Sequence, residues 1–171
     1  VTFTPSETAK SAYTIDYEAM YGKGYRGIIF DIDNTLVFPN APADERSKEL
    51  FQKLRQIGFQ TVILSNNTGK RAGTFAKAVG ADVVTGAAKP FPKKYLVCCE
   101  RMHLPKEQVF FVGDQIYTDI WGANNAGIHS ILVDPITTKE EFWIVAKRLL
   151  EAPVRKKLKE RKDEKHHGRE D

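Results

Sequence analysis

The stretch "GIIFDIDNTLV", residues 27–37, decides how the rest of the chain is read. Gly27 to Phe30 is an apolar, β-branched run of the kind that forms a strand buried on both faces. It runs directly into two aspartates two positions apart, Asp31 and Asp33. Desolvating a carboxylate is expensive unless something compensates it. A buried strand that ends on two acids therefore implies a partner of opposite charge at that end.

Four further runs repeat the pattern: "TVILS" (61–65), "DVVT" (82–85), "VFFVGD" (109–114) and "SILVD" (130–134). Between them apolar residues fall at helical spacing. Residues 45–56 set Leu50 and Leu54, with Ile57, on one side, and residues 69–79 bring Ala72, Phe75, Ala76 and Val79 together. Residues 92–102 and 117–126 also fit helices, with Pro105 and Gly127 marking ends nearby. Strands alternating with helices predict a doubly wound α/β fold, a parallel sheet of about five strands covered on both faces.

Length and composition agree with one globular domain. The 171 residues are 42% hydrophobic and 28% charged, with 10 Phe, 6 Tyr and 2 Trp to fill a core. The expected organisation is a domain over residues 1–154, including an N-terminal extension, and a basic C-terminal tail over 155–171. That tail holds 8 Lys/Arg against 5 Asp/Glu, and the preceding residues hold 18 against 17. No apolar run approaches the about 20 residues of a membrane span, and no signal peptide is visible, so the chain reads as a soluble cytoplasmic protein. Cys98 and Cys99 are adjacent and read as reduced core or helix-face residues.

In doubly wound folds ligands bind beyond the carboxyl ends of the strands, where strand order reverses. Asp31 and Asp33 end the first run, Ser65 and Asn66 the second, Lys89 follows the third, and Asp114 ends the fourth with Asp119 five residues on. Close carboxylates cannot share a pocket unneutralised, and an oxygen-only ligand set favours a hard divalent cation, Mg²⁺. No Cys/His cluster favours zinc; His103, His129, His166 and His167 are scattered and read as surface or packing residues. A divalent cation with Lys89 and the Ser65 hydroxyl suits a dianionic phosphate, and a neighbouring carboxylate supplies a nucleophile.

These residues resemble the four motifs of the haloacid dehalogenase superfamily. "DIDNT" is similar to its D-x-D-x-T signature, and Ser65, Lys89 and "GDQIYTD" follow in order. The wider stretches "VILSNN" and "GDQIYTDIWGANNAG" resemble the YqeG-type branch of subfamily IIIA, which includes phosphatidylglycerophosphate phosphatases. The resemblance implies a phosphatase with Asp31 as nucleophile and metal ligand. It implies Asp33 as general acid and base, giving its backbone carbonyl to the metal, and Asp114 as a direct metal ligand. Ser65, Lys89 and backbone amides near Asn34 and Asn66 would bind phosphate. Thr35 would fix the loop, and Asp119 matches the last motif's second acid. An acid at 33, where P-type ATPases carry Thr, implies rapid hydrolysis of the phosphoenzyme.

Only "VFPNAPADER" (37–46) separates the first motif from a helix, and residues 66–88 hold one helix and one strand, which leaves no room for a cap domain. An open site suits a large substrate such as the head group of phosphatidylglycerophosphate. A soluble phosphorylated metabolite and a non-catalytic binding scaffold are the alternatives. "GKGYRG" (22–27) precedes a strand and reads as a turn, not a dinucleotide loop. "NNT" (66–68) falls in the expected active site, not at a glycosylated surface. "SAYTIDYEAMY" (11–21) reads as packing against the domain. In the segment 140–162, Phe142, Val145, Ala146, Leu149 and Leu150 share a helical face ahead of the basic tail. That segment reads as a terminal helix with a solvated tail, or as a peripheral contact with anionic membrane at the cytoplasmic face. A nucleic-acid module would leave the acids at the strand ends without a role.

Overall fold

The five apolar runs become neighbours in one parallel sheet, with a sixth strand at its edge. A computed structural model describes residues 3–137, 141, 143, 144, 146–148, 150 and 151. The chain divides into two units, residues 1–136 and 137–171. In the first the elements run β1 (Glu7–Ala9), α1 (Tyr17–Gly22), β2 (Gly27–Phe30), α2 (Glu45–Ile57), β3 (Gln60–Leu64), α3 (Lys70–Val79) and β4 (Asp82–Val84). They continue with α4 (Lys93–Met102), β5 (Val109–Gly113), α5 (Trp121–Asn125) and β6 (His129–Val133). Strand order is β1-β6-β5-β2-β3-β4, and every pairing is parallel. The sheet thus has six strands where the sequence predicts about five. The extra one, "ETA", has three residues, none of them buried, and carries no apolar run to betray it.

Alternation along the strands divides the interior into two cores. Ile28, Phe30, Ile63, Phe110 and Val112 face α2 and α3, where they meet Phe51, Leu54, Phe75 and Val79. Ile29, Val62, Leu64 and Phe111 face α4, where they meet Tyr95, Cys98 and Met102. Because β2 and β5 are buried on both faces they read as continuous apolar runs, and truncating one of their phenylalanines to alanine would cost about 3–5 kcal/mol. The helices have ordinary stops and starts. Asp44 and Ser47 form a capping box on α2, and Gly58 ends it at φ 119°, a left-handed conformation that suits glycine.

The segment 11–21 packs as expected. Tyr17 and Met20 are buried in the first core, and the Tyr13 hydroxyl donates to the Leu36 carbonyl at 2.6 Å, bracing the loop after β2. "GKGYRG" leads into β2 through Gly24 at φ 105°. Both cysteines are free and buried on the inner face of α4, and burial pushes their thiols up to about 12 for Cys98 and about 11 for Cys99. His129 bonds to Glu7 at 2.6 Å, joining β6 to the edge strand, and His103 closes α4.

Within the second unit, the described residues from 141 to 151 are helical, and Trp143, Ile144 and Leu150 are exposed. Phe142, Val145, Leu149 and the basic segment from 155 onward lie outside the described residues, as does the expected boundary at 154. Among the described residues no helix is long and apolar enough to cross a membrane. No inserted domain stands between β2 and α2 or between β3 and β4.

Candidate active site

Strand order reverses between β2 and β5, which are adjacent although α2, β3, α3, β4 and α4 separate them along the chain. The crevice beyond that reversal is where such folds bind ligands. Asp31 leaves β2 with its amide donating to the Val112 carbonyl at 3.1 Å, and Asp114 leaves β5 directly beside it. The chain then makes a π-helical turn over Ile116–Ile120 that carries the buried Asp119 back toward both. Asp31, Asp114 and Asp119 each present a carboxylate oxygen within 4.8 Å of the others.

Two features hold Asp119 there. A Cβ on Gly113 would stand 2.6 Å from its Oδ2 and 2.6 Å from a ring carbon of Phe111, so only glycine lets the turn close. The buried Tyr95 hydroxyl, reaching across from α4, donates to the Asp119 carbonyl at 3.1 Å. Its ring in turn requires Gly122, where a Cβ would meet it at 2.6 Å. The loop after β4 brings in Lys89, whose side chain is 3% exposed and whose Nζ donates to Asp31 Oδ1 at 2.9 Å and Asp119 Oδ1 at 2.8 Å.

One ammonium stands against three carboxylates. Burial, and then the Asp119 charge, push the Asp31 carboxyl up to about 7 against the pull of Lys89. Burial and Asp119 likewise raise Asp114 to about 6. For Lys89, burial alone would pull the ammonium down, but the Asp119 and Asp31 charges outweigh it and hold it up. The cluster is therefore short of positive charge, and all its donors are oxygens. A hard divalent cation fits that deficit and that chemistry.

Asp33 is not part of this cluster. Its Oδ1 accepts from the Asn40 amide and from Arg71 Nη2, both at 2.9 Å, and its side chain is 41% exposed. It still lines the same open pocket as Asp31, Ser65, Asn66, Lys89 and Asp119. Thr35 is buried and its hydroxyl lies 3.2 Å from Asp114 Oδ1. The Ser65 hydroxyl accepts from the Asn67 amide at 3.2 Å, and the Asn66 side chain accepts from the Lys89 amide at 3.0 Å. The Asn34 amide donates to the Val37 carbonyl at 2.9 Å, so a part in phosphate binding would require that bond to open. Asn34 sits at φ 61° and Ala88 at φ 49°, left-handed positions in the two loops that deliver Asp31 and Lys89.

Tyr95, Gly113 and Arg71 escape the sequence reading. Tyr95 reads there as one more apolar position on a helix. Gly113 carries a signal, because a glycine at the end of a strand beside an acid often marks close approach. Arg71 carries none, since a Lys-Arg pair at a helix start looks like solvated surface.

Against known families, residues 40–127 match the model of haloacid dehalogenase-like hydrolases. The match spans Ser65, Lys89, Asp114 and Asp119, and begins after Asp31 and Asp33. The chain belongs to the haloacid dehalogenase-like hydrolase family. Among its relatives, it is 34% identical over 158 residues to the probable phosphatase YqeG of Bacillus subtilis (strain 168), covering 92% of each chain. It is 32% identical over 161 residues to phosphatidylglycerophosphate phosphatase 1, chloroplastic, of Chlamydomonas reinhardtii, covering 86% of this chain and 59% of that one. To phosphatidylglycerophosphate phosphatase 1, chloroplastic/mitochondrial, of Arabidopsis thaliana it is 29% identical, covering 82% of this chain and 43% of that one. The fold is shared with a putative 3-deoxy-D-manno-octulosonate 8-phosphate phosphatase of Vibrio cholerae, at TM-score 0.55 and 16% identity, over 82% of this chain and 81% of that one.

Proposed function

We propose that the protein is a Mg²⁺-dependent phosphatase that hydrolyses a phosphomonoester through an aspartyl-phosphate on Asp31. The observation that carries this reading is the close cluster of Asp31, Asp114 and Asp119, with Lys89 bonded to the first and last, at the strand-order reversal. Asp31 would attack phosphorus, forming the O–P bond as the ester oxygen leaves with a proton from the Asp33 carboxyl. Water then attacks the same phosphorus, Asp33 takes its proton, and phosphate departs as the Asp31 carboxylate is restored. Ser65, the Asn66 region and Lys89 would hold the non-bridging oxygens, where positioned donors stabilise developing charge. Thr35 and Asp119 support this set through Asp114 and Lys89. Asp31, Asp114, the Asp33 carbonyl and the nearby Asp119 would hold the cation, which supplies charge neutralisation at the transferring group.

For the substrate we propose phosphatidylglycerophosphate, converted to phosphatidylglycerol at the cytoplasmic face of a membrane. The names of two relatives support the lipid, and so does an approach to the site that no inserted domain closes. A groove walled by Ala41, Pro42, Ala43 and Phe75, with Lys48 and Lys70 in its lining, adjoins the pocket through Arg71. It suits the remainder of an anionic amphiphile. The test compares phosphate release from an aryl phosphate and from vesicle-borne lipid, with Mg²⁺ and with chelator, for the parent chain and Asp31→Asn. Loss of the nucleophile should cost on the order of 10⁴-fold or more. Undiminished turnover by a folded Asp31→Asn chain would sink the assignment.

A further inference from the structure

Outside the pocket, the sheet edge that carries it is apolar and cationic beyond what the chemistry uses. Among the described residues of the first unit, the exposed large hydrophobic side chains are Phe3, Phe38, Phe91, Leu96, Ile116 and Tyr117. Five of them stand on segments leaving the carboxyl ends of strands. Phe38 follows β2, Phe91 and the first-turn residue Leu96 follow β4, and Ile116 and Tyr117 follow β5. The sixth, Phe3, rests on Tyr117 with ring centroids 5.7 Å apart. Single exposed hydrophobics are ordinary, but a collection on one edge marks a contact surface. Phe91 and Tyr117, 68% and 73% exposed, are the most prominent.

Cations accompany them against local preference. α3 opens on Lys70 and Arg71 and α4 on Lys93 and Lys94, and neither helix has an acid in its first turn. The helix dipole makes an N-terminus unfavourable for positive charge, so four cations stand where helix energetics alone would not put them. Arg71 is engaged by Asp33, while Lys70, Lys93 and Lys94 have no ion pair among the described residues. Of the acids near this edge, Asp44 caps α2 and Glu45 pairs with Lys48; Asp134, after β6, is exposed.

Exposed rings interleaved with lysines suit a layer of anionic headgroups, with the rings at the acyl boundary and the ammonium groups on lipid phosphates. We infer that the carboxyl-terminal edge of the sheet is an interfacial surface that seats the catalytic pocket on an anionic bilayer. Phe38, Phe91 and Tyr117 enter the headgroup layer, and Lys70, Lys93 and Lys94 meet phosphates. The inference rests on the lipid reading for its purpose, but it puts the contact on the loops around the pocket and not on the basic segment 155–171. A phosphomonoester on a lipid then reaches Asp31 without leaving the bilayer.

The test sediments the full chain with phosphatidylcholine vesicles, with and without phosphatidylglycerol, and measures the bound fraction. The parent should bind when phosphatidylglycerol is present. Phe38→Ala/Phe91→Ala/Tyr117→Ala and, separately, Lys93→Glu/Lys94→Glu should lower partitioning roughly tenfold or more, each lysine near such a surface being worth about fivefold. Aryl phosphate turnover should be unchanged in both variants, which establishes that they fold, and deleting 155–171 should leave most binding in place. The inference is overturned if the parent does not bind, if both variants bind as it does, or if deleting 155–171 alone abolishes binding. A dimer that both variants lose while keeping vesicle binding would overturn it in favour of a second copy. Residue-dependent binding by a chain with no phosphatase activity would retain the surface and discard the reaction.

Discussion

Asp31 and Asp33 are two residues apart, and the fold treats them in opposite ways. Asp31 sits in a buried cluster with Lys89 and Asp119, its carboxyl pushed up by burial and by a like charge. Asp33 is half exposed and leans on Arg71 and the Asn40 amide. Under the proposed reaction, equal chemistry in unequal surroundings would give one site a nucleophile and a proton carrier from two identical side chains. The contrast also separates their energetics. Breaking a buried pair strands a charge and costs several kcal/mol, whereas an exposed pair contributes about 0–1 kcal/mol.

The largest effect should follow from removing the buried cation. Lys89→Met leaves Asp31, Asp114 and Asp119 with no positive partner among the described residues, and should lower stability by about 3–5 kcal/mol. Urea denaturation with and without Mg²⁺ measures this, and added Mg²⁺ should recover more stability in the variant than in the parent. A variant as stable as the parent in the presence of chelator would break the contrast, because Lys89 would then not be compensating the acids.

Next comes Gly113→Ala, which changes no charge. The new methyl would stand 2.6 Å from the Asp119 carboxylate and from the Phe111 ring, so the π-helical turn must shift. Overpacking of this kind costs about 1–3 kcal/mol, and displacement of a site group by about an ångström costs roughly 100-fold in rate. Thermal unfolding and kcat/KM for an aryl phosphate report the two losses. Full activity with an unshifted Tm would mean that Asp119 is not held by the shape of β5.

What the sequence disclosed and what it withheld divide along the same line. The runs ending at Asp31, Ser65 and Asp114 were legible because strands buried on both faces leave uniform apolar signals, and a polar residue at the end of each stands out. Lys89 was legible from its place after the third apolar run, "DVVT". The edge strand at Glu7–Ala9 was not, since three residues, none of them buried, leave no apolar signal. Nor was the break in the helix predicted over 117–126, which forms a π-helical turn and then α5. The Tyr95 hydroxyl, 24 residues away in the chain, bonds to the Asp119 carbonyl within that turn. The pairing of Asp33 with Arg71 joins residues 38 apart through two partly exposed side chains, and nothing in either local pattern specifies it.

The smallest expected effect belongs to that pair, and it is the most discriminating. Arg71 Nη2 donates to Asp33 Oδ1 and, at 2.8 Å, to the Ala41 carbonyl, with the two side chains 27% and 41% exposed. Arg71→Gln should therefore change stability by only about 1 kcal/mol. Its effect on turnover depends on what Asp33 does. If Asp33 delivers a proton to the departing ester oxygen, holding it in place matters most when that oxygen is a poor leaving group. An alkyl phosphate should then lose more kcat/KM than an aryl phosphate, which departs with little help, and Arg71→Lys should restore part of the difference. Equal losses on both substrates would mean that Arg71 serves binding and not proton delivery. A stability loss as large as that of Lys89→Met would show that the exposed pair is not the weak partner in the comparison.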